Sequence, residues 1–211
     1  MGGSVFDDNS RETILAGGIT AAEYADGWRL LHIRDWRTPA ADNAATANAP
    51  VGGATDATGI NEGIKFWSFG DGDGSVRDYI VSGDFSGFIW LPEGKNTTAR
   101  IRFLWGHRTS GRAGLTNGVV WIFGAMQPGV VTGNYIIGTT TQGTLDVRVE
   151  SAALTEPDAK RGYRTDTLDL TLTGWTAEPT MFYFGRDRDN VVATDDMNCP
   201  AIVYGIQVLV K

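Results

Sequence analysis

The chain has 211 residues, among them 28 glycines, seven tryptophans and nine phenylalanines, and its formal net charge is −7. Glycine at about twice its usual share of roughly 7%, together with many aromatic residues, is typical of turn-rich sheets and argues against a helix bundle. Phosphate binding needs a basic face, so the acidic balance excludes a general nucleic-acid partner.

The N-terminus and the single cysteine exclude three further classes of protein. Residues 1–8 have neither a basic region nor an apolar core, so they are not expected to be a signal peptide. No apolar run approaches the roughly 20 residues of a membrane helix, and no membrane partner is expected. One cysteine, Cys199, cannot form an intrachain disulfide, and its Cys-Pro context predicts an inert thiol.

The first third of the chain mixes one helix signal with long stretches of small residues. Thr20 and Glu23 form a capping-box pattern, which predicts a short helix ending at Asp26-Gly27. Trp28 to Trp36 carries apolar groups on both faces and is interpreted as a strand. Thr38 to Gly59 nearly lacks large apolar residues, so we expect an extended loop or arm unless a partner covers it.

From Ile60 onward the sequence has the period of two that marks half-buried strands. Four apolar residues of one run should face the core while Arg100 and Arg102 face away; they are Ala99, Ile101, Phe103 and Trp105. Val119 to Phe123 is apolar on both faces, which indicates a central strand. Further strands are predicted at Phe66–Phe69, Asn134–Ile137, Leu145–Ala153, Thr167–Thr173, Met181–Arg186 and Ala201–Val210.

About eight or nine such strands separated by turn residues predict an all-β fold, an antiparallel β-sandwich that we expect to be a jelly roll. Residues 61–211 would form this sandwich. Residues 1–60 would form an irregular N-terminal arm, an attachment region with a short helix.

Alternation also predicts which side chains form the core. One face of the last strand should carry Ile202, Tyr204, Ile206, Val208 and Val210. Trp105 and Trp121 should be buried together with Phe103, Ile206 and Val208.

Candidate ion and catalytic sites are weak in this sequence. Asp71 and Asp73 suggest a calcium loop, but Val76 and Ser82 stand where an EF-hand needs glycine and a bidentate glutamate, so a tight turn is predicted. The chain has no Gly-rich phosphate loop, G-x-S-x-G elbow, H-E-x-x-H pair or cysteine cluster. We therefore predict no metal site, no cofactor and no enzymatic activity.

A charge cluster runs from Arg186 to Asn190. It could bind a sugar or an ion, but we favour charges that pair with one another or with a neighbouring subunit. Asp195 and Asp196 could join it as paired carboxylates, the arrangement that glycosidases use. The candidate contacts to a glycan or a subunit are Trp175, Arg186, Asp187, Arg188 and Asp189.

Three tryptophans lie in loop-like or flanking contexts, where we expect them to be exposed; they are Trp28, Trp36 and Trp175. Exposed tryptophans stack on sugar rings or anchor protein interfaces. His32 is predicted to be packed or to face a partner. The candidate interface with a capsid or a second subunit is therefore Trp28, His32 and Trp36.

Five segments follow one another in a characteristic order along the last two thirds of the chain. They are the strand and turn Phe88–Pro92, the aromatic pair of Phe103–Trp105, the glycine-led Gly118–Trp121, the strand with an Arg-Asp exit Phe182–Asp187, and Ala201–Ile206. This order of segments resembles the one in small structural proteins of tailed-bacteriophage virions. The resemblance implies a β-sandwich, often trimeric, that decorates the head or forms a fibre tip.

Two functions follow from the resemblance. The first is a capsid decoration (cement) protein, a homotrimer made in the host cytoplasm that binds the major capsid protein on the outer surface of the head and stabilises the shell. The alternative is a receptor-binding tail or head-fibre domain that recognises a host surface glycan. The chain begins with Met and has no heptad or G-x-y shaft, which favours decoration. A free-standing carbohydrate-binding module or an enzyme ranks third.

Overall fold

The computed structural model describes residues 18–33, 36–37, 51–54, 66–69, 77–82, 88–94, 96–107, 118–127, 129–131, 134–136, 145–155, 163–175, 179–187, 195–197 and 200–211. Within these residues there is one helix, α1 (Ala21–Ala25). The strands are β1 (Arg29–Leu31), β2 (Val51–Ala54), β3 (Phe66–Phe69), β4 (Arg77–Val81), β5 (Ile89–Trp90), β6 (Thr98–His107), β7 (Gly118–Val119), β8 (Trp121–Gln127), β9 (Gly129–Val131), β10 (Asn134–Ile136), β11 (Leu145–Glu150), β12 (Leu154–Thr155), β13 (Tyr163–Thr171), β14 (Pro179–Asp187) and β15 (Ala201–Val210).

Two antiparallel sheets pack face to face. Sheet A has the order β13-β6-β15-β3-β2, with β1 also paired to β15, and sheet B has the order β11-β8-β14-β4, with β5 also paired to β14. Along the chain β3, β4, β6 and β8 alternate between the sheets, β11 stays beside β8, and β13, β14 and β15 alternate again. This is the double Greek key of a jelly roll, so the predicted all-β sandwich is confirmed.

The core lies between the sheets and is built around tryptophan. The ring of Trp121 lies 5.1 Å from Phe184, 5.5 Å from Trp105 and 5.5 Å from Phe103, measured between centroids. These four side chains are buried, as is Val208, while Ile206 is partly buried and packs against them. The predicted core is therefore confirmed.

Strand β6 shows the alternation of inward apolar and outward charged residues that the sequence predicts. The four apolar residues predicted to face inward are fully buried, and its two arginines are half-buried on the outer face, where Leu104 is exposed. The predicted inner side chains Ala99, Ile101, Phe103 and Trp105 are thus confirmed. Strand β8, which contains most of the predicted central run, lies between β11 and β14 in sheet B.

The prediction of which β15 residues face the core is wrong for the first half of that strand. The pairing with β6 shifts between Val203, which lies opposite Trp105, and Gly205, which lies opposite Leu104. This bulge leaves Tyr204 as an extra residue and reverses the phase of the alternation. The core-facing residues are therefore Ala201, Val203, Ile206, Val208 and Val210. Ile202 and Tyr204 lie on the other face, where Tyr204 meets the ring of Tyr163 at 4.8 Å.

The N-terminal region contributes to the sandwich. Helix α1 begins at Thr20 with the predicted capping box, and Gly27 follows its end with a φ of +90°. Residues 18–31, which we call the N-terminal clip, contain α1 and β1, and Ile19, Trp28 and Leu30 pack with Leu209 on the outer face of sheet A. No helix among the residues just described is long and apolar enough to cross a bilayer.

Part of the predicted loop at residues 38–59 is a strand. Val51–Ala54 forms β2 and pairs with β3, because edge pairing needs backbone hydrogen bonds and no large apolar side chain. The sandwich therefore takes strands from both sides of the boundary predicted at residue 60. The attachment role of residues 1–60 stays a prediction.

Candidate functional site

The predicted interface residue Trp28 is not exposed. Strand β1 pairs with β15, which places the indole of Trp28 on the outer face of sheet A with 6% of its surface exposed. The guanidinium of Arg100 lies 4.5 Å from the ring centroid and Nζ of Lys211 lies 5.9 Å from it. The expectation of an exposed ring is therefore wrong, because the chain itself covers it. A role for Trp28 at an interface stays a prediction.

The other flanking tryptophans also pack inward. Trp175 is buried in the main core after a turn in which Gly174 has a φ of +77°, so its predicted exposure is wrong. Trp36 is half-buried and packs against the same core. His32 is exposed. Its predicted contact with a partner is not tested.

Two residues of the charge cluster, Arg186 and Asp187, lie in the described part of the chain. Arg186 has 1% of its surface exposed and donates to both carboxylate oxygens of Asp195, from Nε at 2.7 Å and from Nη2 at 2.6 Å. Asp195 also accepts a hydrogen bond from the backbone N–H of Val120 at 3.2 Å. Asp187 is buried, and its backbone N–H donates to the carbonyl of Val120 at 2.9 Å.

Arg186 and Asp187 are thus both buried within the chain. Their predicted contact with a glycan or a subunit is not tested. Arg186 pairs with Asp195, which lies outside residues 186–190, so pairing within the cluster stays a prediction. Arg188, Asp189, Asp71, Asp73 and Cys199 lie outside the described residues. Among the residues the structure does describe, no three His, Cys, Asp or Glu side chains come together as a metal site would require.

A different tryptophan is exposed. Trp90 has 70% of its surface in water, more than any other large apolar side chain in the described part of the chain. Its neighbours explain this exposure, since Ile89 packs against the core and Leu91 is buried in it. Successive side chains of a strand point to opposite faces, so Trp90 must point outward.

Strand β14 extends this exposed position into a row. Trp90 lies directly opposite Pro179, so both belong to the outer face of sheet B. Met181 and Tyr183 follow on that face, because Phe182 and Phe184 between and after them are buried. Tyr183 lies four positions after Pro179, which corresponds to about 13 Å along an extended strand.

Tyr183 lies flat against the sheet because Gly124 is opposite it in β8. A β-carbon on Gly124 would lie 2.0 Å from Cζ of Tyr183, so any other residue here would displace the ring. Tyr79 of β4 approaches from the other side, with ring centroids 6.2 Å apart and an angle of 61° between the planes. A glycine inside a strand often marks such a close approach.

Strand β11 supplies charged groups to the same face. Val147 and Val149 pack against the core, so Arg148 and Glu150 point outward. Arg148 lies opposite Gly124, and its Nη2 is 3.3 Å from Oε1 of Glu150. We call this surface the aromatic face; it consists of Trp90, Met126, Met181, Tyr183, Tyr79, Arg148 and Glu150.

The turn after Trp90 is fixed by contacts to other elements. The guanidinium of Arg29 in the N-terminal clip donates to the carbonyl of Glu93. Gly94 has a φ of +130°, and a β-carbon there would lie 3.4 Å from Nη2 of Arg29. Nδ2 of Asn96 donates to the carbonyl of Pro92 at 3.4 Å. These contacts hold the segment that carries Trp90.

Sequence reasoning did not identify the aromatic face. Trp90 stood in a strand-like run, and we expected exposure in loops instead. Two signals were available: the opposite phases of Trp90 and its two aliphatic neighbours, and aromatic residues on both faces of β14. A strand with aromatic residues in both phases must place some of them on the outer surface.

Chemically, the aromatic face offers flat apolar rings beside hydrogen-bonding groups. Tryptophan and tyrosine combine a large apolar surface with a polar tip. Arg148 supplies donors and Glu150 supplies acceptors. Such a surface can bind a ligand that has both apolar faces and hydroxyl groups.

No protein-family model and no curated protein matches this chain. Among solved structures it is similar to a carbohydrate-binding module from lichenase 5A of Cellvibrio mixtus in complex with cellotriose, at 11% identity and a TM-score of 0.37, covering 76% of this chain and 86% of that one. It is also similar to the arabinose-bound α-L-arabinofuranosidase MgGH51, at 12% identity and a TM-score of 0.40, covering 90% and 24%.

A third structure is the enzymatically active domain of tailspike protein 4 from bacteriophage CBA120, at 5% identity and a TM-score of 0.36, covering 87% of this chain and 19% of that one. The chain thus spans less than a quarter of the arabinofuranosidase and of the tailspike. TM-scores this low reflect a loose likeness of shape, and we infer no function from them.

Proposed function

We propose that this protein recognises a glycan through the aromatic face of sheet B. The observation that carries the proposal is Trp90, which is 70% exposed on the same face as the flat ring of Tyr183. Burying a large aromatic side chain stabilises a protein by about 1.5–3 kcal/mol, so leaving it in water forgoes that gain. A ligand that covers the ring recovers it.

Sugars fit this surface better than a purely apolar ligand does. One side of a sugar ring often presents C–H groups that pack on an aromatic ring, while the hydroxyl groups around its edge need donors and acceptors. Tyr183 and Trp90 supply the rings. Arg148 and Glu150 supply hydrogen-bonding groups on the neighbouring strand.

The resemblance to virion proteins gives this proposal a setting. A glycan-binding sandwich on a phage particle is a receptor-binding domain, and its ligand is a surface glycan of the bacterial host. The two half-buried methionines of the aromatic face, Met126 and Met181, would suit a protein partner as well. The experiment below distinguishes the two.

The cement function remains a second proposal, with one supporting observation. Leu104 and Tyr163, 39% and 46% exposed, lie on the outer face of sheet A beside Tyr204. Apolar side chains in such a position suit a contact with the major capsid protein or with a second copy of this chain. The two proposals assign function to opposite faces, so one pair of variants separates them.

The test is a screen of the purified protein against immobilised bacterial and plant polysaccharides, followed by calorimetry. We expect Trp90→Ala to weaken binding at least tenfold, which corresponds to about 1.4 kcal/mol. Tyr163→Ala is the matched control, since it removes an exposed aromatic ring from the other sheet, and it should bind normally.

Failure to bind any polysaccharide would overturn the glycan proposal. If purified phage heads instead bind the protein, and Tyr163→Ala alone abolishes that binding, the cement function is favoured. Binding of heads lost only in Trp90→Ala would make the aromatic face a protein interface.

A further inference from the structure

We infer that the aromatic face binds an internal stretch of a linear, neutral glycan that lies along β14, rather than a single sugar or a chain end. The inference rests on the proposed function and specifies its ligand. It follows from the spacing of the rings, from the shape of the surface between them and from its charge.

The spacing of the rings requires a ligand longer than one sugar. Trp90 lies beside Pro179, and Tyr183 lies four residues further along β14, about 13 Å away in an extended strand. One sugar ring is far too small to touch both aromatic rings at that separation. A ligand that uses both must therefore be a chain whose direction follows β14.

The surface between the rings is suited to a chain that passes over it. Met181 and Met126 lie opposite each other in the pairing of β14 with β8, and both are half-buried. Methionine side chains are flexible and adapt to irregular apolar surfaces. Trp90 at one end is 70% exposed, so its ring lies on the surface and does not line a closed pocket that would receive a chain end.

The charges of the face favour a neutral ligand. Arg148 and Glu150 lie 3.3 Å apart, so these two charges largely cancel. Arg37, bridged to Val81 opposite Tyr183, is a further cation beside the face. The whole chain carries a net charge of −7. A polyanionic chain would therefore meet repulsion at long range.

The experiment uses a size ladder made by partial hydrolysis of the neutral polysaccharide that binds best in the screen, with heparin as the polyanion. We expect affinity to rise at least tenfold, or about 1.4 kcal/mol, from single sugars to fragments that reach both rings. In Trp90→Ala that rise should be lost, so that long and short fragments bind alike. Tyr163→Ala should keep it.

A second arm separates internal recognition from recognition of an end. Reducing the terminal sugar of the long fragments to its open alditol should leave their affinity unchanged. Affinity independent of fragment length, loss of binding on reduction, or tighter binding of heparin would each overturn the inference while leaving glycan recognition standing. Absence of binding to every polysaccharide would instead overturn the proposed function.

Discussion

The two outer faces of the sandwich differ in how far their tryptophans are exposed. On sheet A the N-terminal clip buries Trp28 against Leu209 and beneath the guanidinium of Arg100. On sheet B, Trp90 keeps 70% of its surface in water. The difference indicates that the aromatic residue on sheet A completes the fold, whereas the one on sheet B is available to a ligand.

The charged groups of the clip are also paired within the protein. The backbone N–H of Thr20 donates to Glu23 and, with help from Arg102, lowers the pKa of Glu23. Lys211 donates to Asp26 at 2.5 Å and lowers the pKa of that carboxyl group. Asp169 raises the pKa of Arg100 through two hydrogen bonds. The first two sets of contacts tie the clip to sheet A and to the C-terminus. The Asp169 pair lies within sheet A and holds Arg100, whose Nη1 lies 3.6 Å from Oε1 of Glu23 in the clip.

The largest expected effect separates a core tryptophan from the exposed one. Trp121→Ala should lower the free energy of unfolding by about 3–5 kcal/mol, because it leaves a cavity among four aromatic rings. Trp90→Ala should change it by no more than about 0.5 kcal/mol. Urea unfolding followed by circular dichroism measures both. A loss of similar size in the two variants would mean that Trp90 is part of the fold.

A comparable loss is expected from breaking the buried ion pair. Arg186→Ala leaves the carboxylate of Asp195 buried without its partner and should cost about 3–5 kcal/mol. Replacing both residues with apolar ones, Arg186→Met with Asp195→Leu, should recover most of that loss. If Arg186→Ala unfolds at the wild-type urea concentration, the pair is not buried as the structure shows.

Alternation predicted those parts of the fold in which only one phase of a strand is apolar. Strand β6, with arginines in its other phase, was assigned correctly, and the capping box identified α1. The alternation of apolar residues did not predict the inward face correctly in β15, where both phases are apolar. In β15 a single extra residue, Tyr204, reversed the phase, and the local signal of that bulge is Gly205, which directly follows it.

The site was harder to predict than the fold for a related reason. Exposure depends on what lies above a residue, and Trp28 is covered by charges from β6 and from the C-terminal Lys211, far away in sequence. The exposure of Trp90 was accessible in principle, because Ile89 and Leu91 fix its direction. The flat seat of Tyr183 on Gly124 required the strand register.

An intermediate loss of stability is expected from a change at Gly124, beneath the ring of Tyr183. Gly124→Ala places a methyl group against the ring of Tyr183 and should cost about 1–3 kcal/mol by overpacking. It should also weaken glycan binding, because the ring no longer lies flat. Gly205→Ala is the control, since a β-carbon there meets nothing within 4 Å, and both properties should stay unchanged. Normal binding by Gly124→Ala would remove Tyr183 from the proposed site.

The smallest expected effect concerns the clip. Glu23→Gln keeps the capping geometry but removes the charge that meets Arg102 at 3.0 Å, so it should cost about 0.5–1 kcal/mol at neutral pH. Because folding lowers the pKa of Glu23, its charge stabilises the fold at pH values above the ordinary pKa of about 4.5. That stabilisation is lost as the pH falls through the lower pKa of the folded state.

The difference in unfolding free energy between wild type and Glu23→Gln should therefore be full at pH 6 and vanish in stronger acid. Urea titrations across that range give the difference directly. A gap that persists or grows in acid would show that the charge of Glu23 is not what holds the clip. Glycan binding should be normal in this variant, since the clip charge lies on sheet A.

The most direct test of the contrast between the two faces is the nuclear magnetic resonance of the indole N–H groups during a titration with the polysaccharide fragment that binds best. The chain has seven tryptophans, and Trp90→Phe and Trp28→Phe identify the two signals of interest. We expect the Trp90 signal to shift in proportion to bound ligand while the Trp28 signal stays in place. A shift of the Trp28 signal with an unchanged Trp90 signal would contradict the assignment of recognition to sheet B.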